Sequence, residues 1–74
     1  MLVREFCHQI LFFHVDEEAN ISLLDRNGKH IYYYVKTRQE LMRYWEKEVL
    51  DYKIYKDKDS DELWVDIIIN TVKG

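Results

Sequence analysis

The chain of 74 residues has no proline, only two glycines and a single cysteine. So few breakers predict that most of the chain forms regular helices and strands joined by short turns. Cys7 has no second cysteine to pair with, whereas secreted domains of this size usually depend on disulfides. The composition therefore predicts one small domain in the reducing cytoplasm.

Long apolar runs and a strong excess of either charge are also lacking. No run approaches the ~18 apolar residues that a membrane-spanning helix needs, and residues 10–15 have no signal-peptide flanks or cleavage site. The formal charge is −3, from 11 basic and 14 acidic residues. We therefore expect no membrane association, and the charge argues against a general nucleic-acid binder, which would carry a basic excess.

Two segments have the spacing of amphipathic helices. The apolar side of the first consists of Val3, Phe6, Cys7, Ile10, Leu11 and His14, widened by Phe12 and Phe13. A strand over residues 10–15 is the competing interpretation. The second helix follows a capping box, in which the Thr37 hydroxyl accepts from the backbone three residues on and Glu40 reaches back to Thr37. It is expected to end near Lys47, with Leu41, Tyr44, Trp45 and Met42 turned inward.

The first predicted hairpin joins residues 20–25 to residues 29–35 through Asp25-Arg26-Asn27-Gly28. A two-residue turn would pair Leu23 with Tyr32, whereas a type I turn with Gly28 in the left-handed region would pair Leu23 with Ile31. The second register separates apolar from polar residues better and is the one we predict. One face then carries Ile21, Leu23, Ile31, Tyr33 and Val35, and the other carries Ser22, Leu24, His30, Tyr32 and Tyr34.

A second hairpin is predicted from the alternation on either side of residues 57–61. Leu50, Tyr52 and Ile54 alternate on the first strand, and Leu63, Val65, Ile67 and Ile69 on the second. The predicted fold is α+β, with two helices on one face of a four-stranded, mostly antiparallel sheet in the order αββαββ. Two arrangements stay open: strands two and three as parallel neighbours, or strand one beside strand four.

The residue types used in catalysis and metal binding occur without the spacing that either chemistry needs. Cys7 lies on the apolar side of its helix, which favours packing over reaction with a nearby histidine. The spacing of Cys7, His8, His14 and His30 matches no zinc site. Asp57, Asp59 and Asp61 resemble the start of a calcium loop, but Glu62 and Ile68 replace its glycine and its bidentate glutamate. We therefore predict a non-enzymatic protein without metal or cofactor.

Two clusters of charged residues are interpreted as solvated surface. Asp16, Glu17 and Glu18 form a polar break between the first helix and the first strand. The central basic residues are Lys29, Lys36, Arg38, Arg43, Lys47, Lys53, Lys56 and Lys58. Acidic residues are interleaved among them, which favours a mixed charged surface over a nucleic-acid groove.

The aromatic residues predicted to face outward form the strongest candidate site. Tyr32 and Tyr34 share their face with Leu24 and His30. Trp64 and Tyr55 lie on the corresponding side of the second hairpin, together with Ile68 and Val49. If the helices cover only the other face, this surface is exposed, and exposed tyrosine and tryptophan are typical anchors of protein interfaces. Shielding of the sheet by the tyrosine rings is the alternative.

Three segments, which together span nearly the full length of the chain, resemble a known class of small proteins. They are Val3-Arg4-Glu5-Phe6, the hairpin Ile21-Ser22-Leu23-Leu24-Asp25…Gly28-Lys29, and the ending Val49…Ile54…Leu63-Trp64-Val65. The chain resembles small proteins encoded by phages and mobile elements of Gram-positive bacteria. The resemblance implies a helix–hairpin–helix–hairpin order and, for some such proteins, inhibition of CRISPR or another bacterial defence system. No residue role carries over, and the modest charge departs from the dense acidity of DNA-mimicking inhibitors.

Three hypotheses about function follow. The first is a protein-binding module, of the phage-encoded inhibitor kind, that binds a bacterial defence effector such as a CRISPR nuclease through Tyr32, Tyr34, Leu24, His30, Tyr55 and Trp64. The second is a structural homodimer that pairs its sheet faces. The third is a weak nucleic-acid-binding accessory protein that uses the central lysines and tyrosines.

Overall fold

A computed structural model describes residues 1–11 and 19–71 of the chain. The described residues have α+β architecture, with two short helices and a four-stranded mixed sheet. Helix α1, Val3–Phe6, continues as a π-helical segment, Cys7–Leu11, and helix α2 is Arg38–Met42. The strands are β1, Asn20–Leu24; β2, His30–Tyr32; β3, Val49–Lys56; and β4, Leu63–Ile69.

The sheet has the strand order β2-β1-β4-β3. The two hairpins β1–β2 and β3–β4 are antiparallel, as expected, and are joined by parallel pairing of β1 with β4. Of the two arrangements left open by the sequence, the structure therefore has strand one beside strand four. The central parallel pair makes the sheet mixed rather than wholly antiparallel.

The helices differ from the expected pair in length and form. The first changes to π-helical geometry at Cys7, and the second ends at Met42, after which turns lead to β3. Val3, Phe6 and Cys7 are buried as predicted. The positions of Phe12, Phe13, His14 and the Asp16–Glu18 break, and the side chains of Ile10 and Leu11, lie outside the described residues.

The first helix is tied to the connection between α2 and β3. The Val3 and Arg4 N–H groups, which have no acceptor within their own helix, donate to the carbonyls of Lys47 and Trp45 at 2.9 and 3.0 Å. The Leu2 N–H donates to the Glu5 carboxylate at 2.9 Å. These bonds satisfy helix-end donors that would otherwise be left without partners.

The N-terminal cap of α2 follows half of the predicted capping box. The Thr37 hydroxyl accepts from the Glu40 N–H at 3.3 Å, as expected. The Glu40 carboxylate instead accepts from the N–H of Lys36, at 3.1 Å. Leu41 is buried and Tyr44 and Trp45 pack against the core, whereas Met42 is 53% exposed and does not turn inward.

The core lies between the helices and one side of the sheet, here called the core face. Its buried apolar residues among those described are Val3, Phe6, Cys7, Leu23, Leu41, Val65, Ile67 and Ile69. The alternation predicted for β4 is confirmed, since Val65, Ile67 and Ile69 are all fully buried. The opposite side of the sheet, the outer face, has no helix packed on it within the described residues.

The turn of the first hairpin has the predicted geometry, but the strand register changes beyond it. Gly28 has φ +82°, and its N–H donates to the Asp25 carbonyl at 3.0 Å, as in a type I turn with a glycine bulge. Leu24 pairs with His30 in the predicted register. A second bulge at Ile31 then pairs Leu23 with Tyr32, the pairing expected for a two-residue turn.

This second bulge reverses the predicted faces of Tyr32 and Tyr33. Tyr32 pairs with the buried Leu23, packs against the core, and lies with its ring centroid 6.2 Å from that of Tyr44. Tyr33 is 70% exposed. The prediction that Tyr32 faces outward and Tyr33 inward is therefore wrong, because the residue inserted at Ile31 shifts the side chains that directly follow it to the other face.

Candidate aromatic cleft on the outer face

Two consecutive tyrosines leave the strand and lie against the outer face. After Tyr32 the chain bends away from the strand. It returns to β1 at Val35, whose N–H donates to the Ile21 carbonyl at 2.8 Å. Between these points the hydroxyl of Ser22, which is 2% exposed, donates to the Tyr33 carbonyl at 2.6 Å. The bend frees Tyr33 and Tyr34 from strand alternation, so that both reach the same tryptophan.

The rings around Trp64 form one continuous aromatic surface. The centroid of the Trp64 ring lies 6.1 Å from that of Tyr33 and 6.2 Å from that of Tyr34, both nearly edge-to-face. The His30 ring lies 5.0 Å from Tyr33 on its other side. Tyr55 is the direct cross-strand neighbour of Trp64. Such ring pairs are stabilised by their quadrupoles in addition to the apolar area they bury.

These residues surround a small open cleft, here called the aromatic cleft. Its volume is about 100 Å³, and it is lined by Ser22, His30, Tyr33, Tyr55, Asp57 and Trp64. Pockets for drug-sized molecules usually measure roughly 300 Å³ or more. The cleft therefore has room for about one amino-acid side chain, which favours a protein or peptide ligand over a larger cofactor.

Carboxylates give this cleft a negative side. Asp57 lines it directly, and the Tyr55 hydroxyl donates to Asp66 Oδ1 at 3.4 Å. Partial burial raises the pKa of Tyr55, and the negative charge of Asp66 and its hydrogen bond raise that pKa further. The Tyr55 phenol therefore stays protonated at neutral pH. The arrangement of aromatic faces beside carboxylates suits a positively charged side chain.

The structure brings together four of the six predicted site residues, namely Tyr34, His30, Tyr55 and Trp64. Leu24 lies opposite Ile68 on the same face, partly buried and away from the cleft lining. Tyr32 lies on the core face, and Val49 packs against the core instead of sharing the side of Trp64.

Sequence reasoning missed Tyr33, Ser22 and Asp57 as parts of this site. Ser22 was the available signal, because a serine between Ile21 and Leu23 in a buried strand needs a hydrogen-bond acceptor. The bulge at Ile31 left no signal, because neither glycine nor proline marks it.

The structure also shows the surroundings of the Cys7 thiol and of the aspartates in the suspected calcium loop. The Cys7 thiol is fully buried, and burial raises its pKa from 9.0 to about 11, so that it is not a reactive thiolate at neutral pH. In the suspected calcium loop, the Asp57 carboxylate accepts from the Asp59 N–H at 3.0 Å, as in a local turn. No three His, Cys, Asp or Glu side chains of residues 1–11 and 19–71 are grouped closely enough to hold a metal ion.

Two further findings bear on the kind of protein this is. Within the part of the chain that the structure describes, no helix has the length and apolar character to cross a membrane. No protein-family model, curated protein or solved structure matches this chain.

Proposed function

We propose that this chain is a non-enzymatic protein-binding module that holds a basic side chain of its partner in the aromatic cleft. The observation that supports this proposal most directly is the packing of the exposed Tyr33 and Tyr34 rings on the half-buried Trp64, with Asp57 beside them in the cleft. Exposed tyrosine and tryptophan are preferred anchors of interfaces, and arginine is their most frequent cationic partner.

The proposed contact needs both parts of the cleft. The rings supply the apolar area and the negative faces on which a guanidinium can lie, and Asp57 supplies the countercharge. Tyr33 is 70% exposed, so its ring is open to a partner without any rearrangement of the fold. The small volume of the cleft limits the anchor to one side chain, and the surrounding outer face would carry the rest of the interface.

The first test is an NMR titration of the protein with an arginine-containing tripeptide and with its citrulline analogue, which has nearly the same shape without the charge. We expect the arginine peptide to shift the resonances of His30, Tyr33 and Trp64, and the citrulline peptide to bind about tenfold more weakly. Equal binding of the two peptides, or shifts confined to another surface, would contradict the proposal.

Matched variants distinguish binding in the aromatic cleft from nonspecific binding to other exposed apolar side chains. Tyr33→Ser and Asp57→Asn are each expected to weaken binding of the arginine peptide by about fivefold or more. Tyr33→Ser removes an aromatic ring from the contact, and Asp57→Asn removes the countercharge. Met42→Ser removes another exposed apolar side chain, which lies on α2, and should leave binding unchanged. Circular dichroism of each variant checks that the fold is intact.

For the class of partner, the sequence resemblance supports a bacterial defence effector such as a CRISPR nuclease. The single cysteine suits the reducing cytoplasm, where such effectors act. The test is a plasmid-interference assay in bacteria that express this chain. Protection of the plasmid by the wild-type chain and its loss in a folded Tyr33→Ser/Tyr34→Ser double variant are expected, and an unprotected plasmid would remove this class from the proposal for the nuclease tested.

A further inference from the structure

The turn of the first hairpin contains a chemically reactive pair, Asn27 followed by Gly28, and both residues are exposed. The backbone nitrogen that follows an asparagine can attack the side-chain carboxamide and close a succinimide ring. Glycine allows this attack most readily, because it has no Cβ to crowd the nitrogen and its backbone adopts many conformations. A Cβ at position 28 would itself meet nothing within 4 Å, so the surrounding chain does not block the site.

The two other asparagines of the sequence lack this neighbour. Asn20 is followed by Ile21, and Asn70 is followed by Thr71. The β-branched side chains of isoleucine and threonine crowd the nitrogen that would attack. Both asparagines therefore serve as internal references for the reactivity of Asn27.

In the closed turn, Asp25 binds the nitrogen that would attack. The Gly28 N–H donates to the Asp25 carbonyl at 3.0 Å. The Asp25 carboxylate accepts from the N–H groups of Asn27 and Lys29, each at 2.9 Å. Asp25 therefore holds the N–H groups of all three residues, and the Gly28 nitrogen must leave its hydrogen bond before it can react.

The position of the turn in the sheet allows it to open by itself. It lies at the tip of a hairpin whose second strand, β2, has three residues and is at the edge of the sheet. Exposed segments of this kind open locally at a lower free energy than the core. The rate of any reaction at Asn27 is therefore set by how often Asp25 releases the Gly28 N–H.

We propose that Asn27 is a site of spontaneous deamidation whose rate Asp25 controls. When the turn opens, the Gly28 nitrogen gives its proton to water or hydroxide and bonds to Cγ of Asn27. The bond from Cγ to the side-chain nitrogen then breaks, and that nitrogen takes up a proton and leaves as ammonia. Water opens the succinimide at either carbonyl, which gives aspartate or isoaspartate at position 27. The proposal is independent of what the aromatic cleft binds.

The isoaspartate product changes the geometry of the turn. Its main chain passes through the former side-chain carbon, which adds one carbon to the backbone before Gly28 and leaves a new carboxylate close to that of Asp25. The register that pairs Leu24 with His30 depends on the length of this turn. Because His30 lines the aromatic cleft, deamidation displaces one wall of the cleft.

The test is incubation of the folded protein at mildly alkaline pH, followed by mass spectrometry of its proteolytic peptides. We expect deamidation at Asn27 to be faster than at Asn20 and Asn70. Unfolding the protein in guanidinium chloride should accelerate the reaction at Asn27 by about tenfold or more, because no turn then holds the nitrogen. Asp25→Ala removes the carboxylate acceptor and should accelerate it in the folded protein by about threefold or more.

Asp59→Ala is the matched control, because it makes the same change of net charge in the loop of the second hairpin. It should leave the rate at Asn27 unchanged, and circular dichroism shows whether each variant is folded. Asp25→Asn keeps a side-chain oxygen that can accept and should react at a rate between those of the wild type and Asp25→Ala.

Three results would overturn the proposal. The first is a folded wild type in which Asn27 reacts no faster than Asn20 and Asn70. The second is an equal rate at Asn27 in the folded and the unfolded wild type, which needs no variant to measure. The third is a set of folded Asp25 variants that react no faster than Asp59→Ala.

Discussion

At the scale of single residues, Cys7 shows how burial changes the chemistry of a side chain. Its thiol is fully buried in the core beside Val3 and Phe6. Desolvation raises the pKa of Cys7 to about 11, and the positive charge of Arg38 offsets only part of that effect. Since thiolate formation in the unfolded chain needs a lower pH than in the folded chain, ionisation of this residue favours unfolding.

This difference predicts alkaline destabilisation through one residue. Well below pH 9 the thiol is protonated in both states and the free energy of unfolding is insensitive to it. Between pH 8 and 11 the wild type should lose about 2 kcal/mol more than Cys7→Ala, because the pKa differs by about two units between the two states. Urea unfolding of both proteins across this range measures the difference, and parallel pH profiles would contradict it.

Ser22 connects a buried hydroxyl to the geometry of the aromatic cleft. Ser22→Ala removes the donor to the Tyr33 carbonyl and should lower the free energy of unfolding by about 1 kcal/mol. It should also weaken the near-UV circular dichroism of the Tyr33–Trp64 pair, because the bend after β2 is no longer fixed. The exposed Ser60→Ala is the control, and an equal effect of the two changes would rule out this role.

At the scale of elements, the first hairpin depends on a left-handed glycine. Gly28 has φ +82°, and a Cβ at this position would meet no atom within 4 Å. A side chain at position 28 would therefore cause strain through the left-handed backbone conformation and not through a steric clash with its neighbours. Gly28→Ala should lower the free energy of unfolding by about 1 kcal/mol and Gly28→Asn by less, since asparagine tolerates this region better. Thermal unfolding checks this order, and an alanine variant as stable as wild type would contradict it.

The two hairpins differ in how far the sequence predicts them. In the second, Leu63–Ile69 alternates without interruption, and every predicted buried position from Val65 onward is buried. In the first, the turn has strong sequence signals and forms as predicted, but the bulge at Ile31 has none. Because β2 is a short edge strand of three residues, few side chains fix its register, and the Ser22 hydrogen bond to the Tyr33 carbonyl adds a constraint that the apolar pattern does not show.

At the scale of the whole molecule, the aromatic cleft is assembled from all four strands. Ser22 lies on β1, His30 on β2, Tyr55 on β3 and Trp64 on β4, and Tyr33 lies in the bend after β2. The two hairpins bring these residues together only because β1 pairs with β4.

The sequence by itself determined the α+β class, the two hairpins, the left-handed turn at Gly28 and most of the buried residues of β4 and α1. These features depend on interactions close along the chain, or on alternation that one strand carries alone. It also identified His30, Tyr55 and Trp64 as members of one surface, because they follow from the turn and from the second hairpin. Tyr34 was assigned to this surface from the other register, and it reaches Trp64 through the bend after β2.

Only the tertiary structure decided the strand order, the bulge at Ile31 and the exchange of Tyr32 for Tyr33 on the outer face. Each of these depends on pairing between segments distant in sequence: β1 beside β4, Val35 on Ile21, and Ser22 on Tyr33. Local periodicity carries no information about such pairing, since it describes each segment by itself and not the strand or the buried hydroxyl that the segment meets.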